Sequence, residues 1–204
     1  MSKAKFITLE GVDGAGKSTH IDFIKSYFES NSLEYIVTRE PGGTNTGEKI
    51  REILLNDEIL PITESLLMFA ARYEHLSLLI QPNLRAGVTV ISDRFTDASY
   101  AYQSGGKGVD ASIIDQLKTI THGDLEPDLT ILFDLPVEVS IERLNNTRVL
   151  DRFEKQNYEF HQKVRKMYLK IASENKDRFC IIDSTKSIND IQDEITKILD
   201  INIE

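Results

Sequence analysis

Gly11-Val12-Asp13-Gly14-Ala15-Gly16-Lys17-Ser18 is the stretch on which the reading of the fold turns. It fits the spacing G-x-x-x-x-G-K-[ST], in which glycines let the backbone curl until several N–H groups face phosphate oxygens. Apolar residues Phe6 to Leu9 run into it, and Ile21, Ile24, Tyr27 and Phe28 follow it at helical spacing. The order is strand, glycine loop, helix, so a bound phosphate meets the N-terminus of that helix. In such loops the lysine, here Lys17, reaches the β and γ phosphates, and the hydroxyl of Ser18 reaches magnesium. Gly11, Val12, Asp13, Gly14, Ala15, Gly16 and Thr19 complete the expected nucleotide contacts.

Working outward, further strands are expected at Tyr35–Val37, at Val88–Ile91 running to Asp93, at Leu129–Leu135 and at Cys180–Ile182. Ile50, Ile53 and Leu54 suggest a short helix, and Thr63 after Pro61 is the expected cap of a longer one containing Leu66, Leu67, Phe69, Ala70 and Leu76. Three more helices are expected: one from near Asp110, one from about Val137 to Leu144, and a last one through Ile188, Ile191, Ile195 and Ile198. Short apolar strands alternating with helices imply an α/β chain. The expected architecture is a three-layer P-loop NTPase fold, a five-stranded parallel sheet with helices on both faces. Residues 1–204 read as a single domain, and the charged segment around 145–156 reads as a short lid.

The 204 residues carry 24 Lys plus Arg against 33 Asp plus Glu, a net charge of -9, which argues against a broad basic surface for nucleic acid. An anionic ligand must therefore meet a local cluster of positive groups. The lone cysteine, Cys180, has no partner for an intrachain disulfide. The opening MSKAKFITLE lacks a secretory h-region, and no run approaches 18 apolar residues, so a cytoplasmic protein outside the membrane is expected. His20, His75, His122 and His161 are scattered, which disfavours a histidine metal cluster or catalytic triad.

The glycine loop points to nucleoside triphosphate binding, yet switch GTPases, motor ATPases and small-molecule kinases share it. A guanine-reading Asn-Lys-x-Asp is absent: Asn175-Lys176-Asp177 has the wrong spacing and Thr185-Lys186-Ser187-Ile188 lacks the aspartate. Arg39 and Arg94 each follow a predicted strand, which in a parallel sheet brings them to the ligand-bearing carboxyl edge. Their guanidinium forks match the oxygens of an acceptor phosphate. Asp93 ends a strand, where it organises magnesium and its water or caps the next turn. Ser99 and Gln103, four residues apart, share one helical face, and the Gln103 amide can pair with a pyrimidine ring.

Thr38-Arg39-Glu40-Pro41-Gly42-Gly43, Phe69-Ala70-Ala71-Arg72, Ser92-Asp93-Arg94-Phe95, Ala101-Tyr102-Gln103 and Pro127-Asp128-Leu129-Thr130 follow the loop in a fixed order. In these pieces the sequence resembles the bacterial thymidylate kinase family, over almost its whole length. The resemblance implies phosphorylation of dTMP to dTDP with ATP and magnesium, and a homodimer formed through the long middle helices. It also implies roles: Arg39 and Arg94 on the acceptor phosphate, assisted by Arg51; Asp13 near the sugar hydroxyl and phosphate; Arg72 on the thymine carbonyl; Tyr102 crowding the place of a 2'-hydroxyl. Arg143 is expected against adenine. Arg148 and Arg152 are expected to supply lid charge, because the loop carries no arginine between Gly11 and Lys17. One departure stands out. The family aromatic that stacks on the base lies four residues before the arginine, where this chain has Met68, whereas Phe69 lies three before. Either side chain is a candidate for the base wall. Another monophosphate kinase, or an ATP-binding module without turnover, is the alternative, and acceptor-dependent ADP formation separates them.

Overall fold

The computed structural model describes residues 4–145 and 151–203. Five strands, β1 (Phe6–Glu10), β2 (Tyr35–Arg39), β3 (Thr89–Asp93), β4 (Leu129–Asp134) and β5 (Phe179–Asp183), form one sheet in the order β2-β3-β1-β4-β5. Every pair is parallel. All five residues of β1 are buried, as befits the central strand of a sheet covered on both faces. From β1 the chain passes out to β2 and back to β3 on one side, then crosses to β4 and β5 on the other, and the crevice at such a switch point is where a doubly wound sheet binds its ligand.

Alternation along β1 assigns the layers. Ile7 and Leu9 join a core containing Ile24 and Phe28 of α1 (Lys17–Ser30) and Ile191, Ile195 and Leu199 of α9 (Ile188–Ile203). On the other face Phe6 packs with Leu76, Ile80, Val90 and Phe95. There the chain runs from α3 (Pro61–His75) through a π-helical turn (Leu76–Ile80) into α4 (Gln81–Arg85). Glu10, on the same face as Phe6, accepts a hydrogen bond from Tyr168 of α8 (Tyr158–Glu174) at 2.7 Å. The remaining helices are α2 (Asn45–Asn56), α5 (Thr96–Ser99), α6 (Ala111–Thr121) and α7 (Val137–Asn145), with a second π-helical turn at Tyr100–Gly106. Among the described residues no helix is long and apolar enough to cross a membrane.

The expectation and the structure part at the start of α3 and at α8. Thr63 lies inside the first turn of α3: Leu60 is the N-cap and Pro61 takes the first helical position, where its missing N–H costs nothing. Asp110, by contrast, does cap α6, accepting from the Ser112 N–H at 2.8 Å. The longest described helix, α8, was not expected. Its buried positions Phe160, Val164, Tyr168 and Ile171 recur at four, four and three, a readable helical face masked by the charged residues that precede and interrupt it.

Candidate active site

The glycine loop is held by contacts that leave no room for side chains. A Cβ on Gly11, at φ +139°, would lie 2.4 Å from the Phe133 carbonyl oxygen, and one on Gly14 2.7 Å from that of Ser140. The Ser140 hydroxyl donates to the Asp13 carbonyl at 2.6 Å, pinning the loop to α7. Gly16, left-handed at φ 91°, is the N-cap of α1, so the first N–H groups of that helix open toward the loop. Lys17 is buried and its Nζ donates to the carbonyls of Gly11 and Val12 at 3.1 and 3.4 Å. Burial and the neighbouring Arg94 lower its pKa, while Asp93, Asp13 and Glu10 oppose them. Ser18 and Thr19 lie exposed at the mouth.

Arg94 ties this loop to the sheet. Its backbone is left-handed, φ 72°, which turns the side chain back over the loop. Nη1 donates to the Gly11 carbonyl at 2.9 Å and to the Tyr168 hydroxyl at 3.0 Å. Nη2 donates to Asp13 at 2.6 Å and to the Tyr102 hydroxyl at 3.0 Å. Tyr102 in turn donates to the other Asp13 oxygen at 2.7 Å. Burial alone would raise the Asp13 pKa, but Arg94, Lys17 and the Tyr102 hydrogen bond outweigh it and bring it to about 2. Beneath lies Glu10, whose oxygens accept from the Phe95 N–H and the Tyr168 hydroxyl, each at 2.7 Å. Its burial, reinforced by Asp97, pushes its pKa up to about 8. Glu10 and Tyr168 escaped the sequence reading because their partners lie 85 and 158 residues away along the chain.

A narrow recess opens beside Arg94. Asp13, Met68, Arg72, Phe95, Ser99, Tyr102, Gln103 and Phe153 are among the residues that line it. Arg72 is fixed inside it on four sides. Nε donates to Glu40 at 2.7 Å, Nη1 to the Ser99 hydroxyl at 3.1 Å, and Nη2 to the Phe95 carbonyl at 3.1 Å, while the guanidinium lies 4.5 Å over the Phe69 ring. The other Glu40 oxygen meets His75 Nδ1 at 3.0 Å, and His75 Nε2 meets Thr38 at 2.7 Å. Burial would raise the Glu40 pKa, and Arg72 with His75 holds it below the ordinary value instead. Gly43 is required here, since a Cβ would come within 2.5 Å of the His75 ring. The offset of Met68 and Phe69 has a plain geometric outcome. Met68 lines the recess, and Phe69 is buried beneath it against Val109 and Ile114, supporting Arg72 from behind.

The trough above the glycine loop is lined by residues 13–21, Arg39, Asp93, Arg94, Arg143 and Lys186, among others. Arg143 is fastened by a 2.9 Å bond to the Ser184 carbonyl. Asp13, Glu40, Arg51, Arg94 and Asp151 line both trough and recess, so the two meet at this quintet. Arg51 donates to the Pro41 carbonyl at 2.8 Å, and Arg39 is exposed and paired with Glu48 at 2.8 Å. Asp151 and Glu154, which the sequence reading passed over, form a reciprocal turn: Asp151 accepts from the Phe153 and Glu154 N–H groups, and its own N–H donates to Glu154 at 2.9 Å. Arg152 is placed away from the trough. It donates to the Leu54 carbonyl at 3.0 Å and to the buried Glu64. Arg148 and the rest of residues 146–150, the first part of the expected lid, lie outside the described residues.

Asp93 Oδ1 is buried beside the trough without a hydrogen-bond partner, and the Ser18 hydroxyl opens onto the same trough. A divalent cation carried by nucleotide phosphates suits that donor set, because magnesium commonly takes few protein ligands along with phosphate and water. Among the described residues no group of three or more His, Cys, Asp or Glu side chains is arranged to hold a metal.

Residues 9–195 match the family model described as Thymidylate kinase. A protein of Methylobacillus flagellatus named thymidylate kinase is 49% identical over 197 residues, covering 97% of both chains. One of Cupriavidus necator with the same name is 50% identical over 199 residues, covering 97% of this chain and 98% of the other. The crystal structure of thymidylate kinase from Ehrlichia chaffeensis superposes with a TM-score of 0.79 at 33% identity, covering 97% of this chain and 98% of that one.

Proposed function

Since the chain belongs to the thymidylate kinase family, it phosphorylates dTMP to dTDP with ATP, and we propose the following division of labour among its side chains. ATP lies in the trough with its phosphates on the N–H groups of residues 11–18 and its adenine toward Arg143. The dTMP base enters the recess between Met68 and Arg72, with Ser99 and Gln103 on its edge and Tyr102 below the sugar. The acceptor phosphate then reaches Arg94, with Arg39 and Arg51 flanking it. An oxygen of that phosphate attacks the γ phosphorus in line while the bond to the β-phosphate oxygen breaks, leaving ADP. Lys17 and Arg94 carry the positive charge that faces the transferring group.

The observation that carries this reading is the shared quintet, which brings a nucleotide trough and a base-sized recess together at Arg94 and Asp13. Asp13 holds Arg94 in place and is too weak a base to take a proton at neutral pH. That suffices, since alignment and charge neutralisation do most of the work in phosphoryl transfer. Ser18 and Asp93 are the residues we assign to hold magnesium, which when bound would offset the negative charge of the phosphates.

Two further assignments complete the reading. We place the enzyme in the cytoplasm. We also infer a homodimer formed through α3, whose outer face leaves Ile62, Leu66 and Tyr73 exposed at helical spacing. Light scattering at assay concentration is expected to give the mass of two chains, and a monomer that remains active rejects the dimer. For the reaction, ADP release from ATP and magnesium is measured with dTMP, dUMP, dCMP and AMP as acceptors, with product identity checked. Folded, ATP-binding protein that yields no dTMP-dependent dTDP would sink the whole reading.

A further inference from the structure

Glu64 of α3 is fully buried and touches neither the glycine loop nor the nucleotide trough. Three donors from two other parts of the chain converge on it. Gln103 Nε2 from the second π-helical turn donates at 3.0 Å, and Lys107 just after that turn donates at 2.5 Å. Arg152, from the flank of the expected lid, is the third. Lys107 and Arg152 also sit over the Phe153 ring, each 4.8 Å from its centre. A buried carboxylate needs such positive neighbours, so the two cations explain how Glu64 is tolerated. They do not explain why an uncharged amide shares it.

We propose that Glu64 is the positioning residue that makes the recess selective for a thymine or uracil base over cytosine, by fixing which end of the Gln103 amide faces the substrate. This rests on the recess being the base site of the acceptor. An ionised carboxylate only accepts hydrogen bonds, so the atom of Gln103 that meets Glu64 is the nitrogen. The amide is then locked, and the atom Gln103 presents to the recess it lines is Oε1, an acceptor. Across the recess Arg72 presents donors, and its own orientation is set by Glu40, Ser99 and Phe95. Donor beside acceptor is the complement of the imide edge of thymine, whose O4 accepts and whose N3–H donates. Cytosine offers the reverse, an amino group facing Arg72 and a bare N3 facing Oε1. Each mismatch leaves a desolvated polar group unpaired, which disfavours the wrong base about tenfold or more. The 5-methyl group takes no part, so dUMP is expected to follow dTMP.

The test is Glu64→Gln, whose amide can donate to Gln103 Oε1 and so free Nε2 to turn toward the ligand. The ratio of kcat/KM for dTMP to that for dCMP is expected to fall about tenfold or more. The dTMP to dUMP ratio should stay within about twofold, because both bases carry the imide. Lys107→Met removes a cation but keeps the carboxylate, and should preserve the dTMP to dCMP ratio, separating orientation from local charge. A folded Glu64→Gln enzyme with an unchanged dTMP to dCMP ratio overturns the proposal. Should that variant not fold, the unaltered enzyme still decides. Exchange of the Gln103 side-chain amide proton that is donated to Glu64, followed by NMR, should be equally slow with and without dTMP, because it remains on Glu64. Protection that appears only when dTMP is added places the nitrogen on the base and overturns the proposal. If the unaltered enzyme fails to turn over dTMP, the function reading fails instead, a separate outcome.

Discussion

The nucleotide trough and the acceptor recess meet at Arg94 but are built from different material. The trough is wide, about 1010 Å³, and its floor is backbone: a loop of eight residues and the helix start that follows. The recess is about 90 Å³, and side chains from α3, the turn after β2, the end of β3 and the second π-helical turn wall it in. Backbone N–H groups recognise any triphosphate, whatever the base attached. Side chains locked by Glu40 and Glu64 are, in the function proposed above, the ones that recognise one hydrogen-bonding pattern. General affinity is thus written in a local motif, and selectivity in long-range ion pairs.

Truncating each side should break the comparison in its own way. Lys17→Ala is expected to lower kcat about a thousandfold, with dTMP binding by calorimetry nearly intact, since the recess does not need it. Arg94→Lys keeps the charge but loses the fork that reaches Asp13, Tyr102, Gly11 and Tyr168. It should lower kcat/KM for dTMP about a hundredfold, more than it weakens ATP binding. Equal losses of ATP and dTMP binding in both variants would erase the division between the two clefts.

Arg72→Ala leaves Glu40 and His75 buried without their guanidinium, and urea unfolding should register a loss of about 3–5 kcal/mol. The exposed pair Lys25–Asp22 provides the contrast, with Lys25→Ala within about 0.5 kcal/mol of the unaltered chain.

Acidity sharpens the comparison further, because two carboxyls three residues apart respond to pH in opposite senses. Asp13 moves from 3.8 to about 2 on folding, so the folded chain binds fewer protons there. Its contribution is complete above 3.8 and lost as pH falls through 2. Glu10 moves from 4.5 up to about 8, so the folded chain binds more protons there; its contribution is complete below 4.5 and lost as pH rises through 8. Unfolding free energies between about pH 5 and 8 should therefore decline more steeply in the unaltered chain than in Glu10→Gln. Parallel slopes would refute the assignment. Smallest of all, Met68→Leu conserves volume in the recess wall and should change KM for dTMP only a few-fold.

These contrasts also explain what could be read in advance. All five strands lie where apolar runs placed them, because a parallel sheet buried on both faces demands continuous apolar segments. The loop was legible because its chemistry is contiguous. The π-helical turns had no signal, since one extra residue per turn leaves composition untouched, and α8 was hidden by charge on its exposed side. Glu40 and Glu64 were missed as partners because their cations lie 32 to 88 residues distant, and Glu10 because its donors Phe95 and Tyr168 lie 85 and 158 residues distant, which spacing within one element cannot report. Arg152 was assigned from its neighbours in sequence to phosphate, and its position on Glu64 follows from the same long-range pairing.

The sheet order carries a consequence for how the polypeptide is made. Phe6 of β1 pairs with Val90 on one side, and Ile7 pairs with Leu129 on the other. A chain emerging from the ribosome N-terminus first presents this strand long before either neighbour exists, and such distant pairings are slow to form. The loop that cradles ATP closes against Phe133 and Ser140, so nascent chains acquire nucleotide binding only after about two thirds of the 204 residues have been synthesised. Until then the central strand is an open edge, a ready template for pairing with another chain.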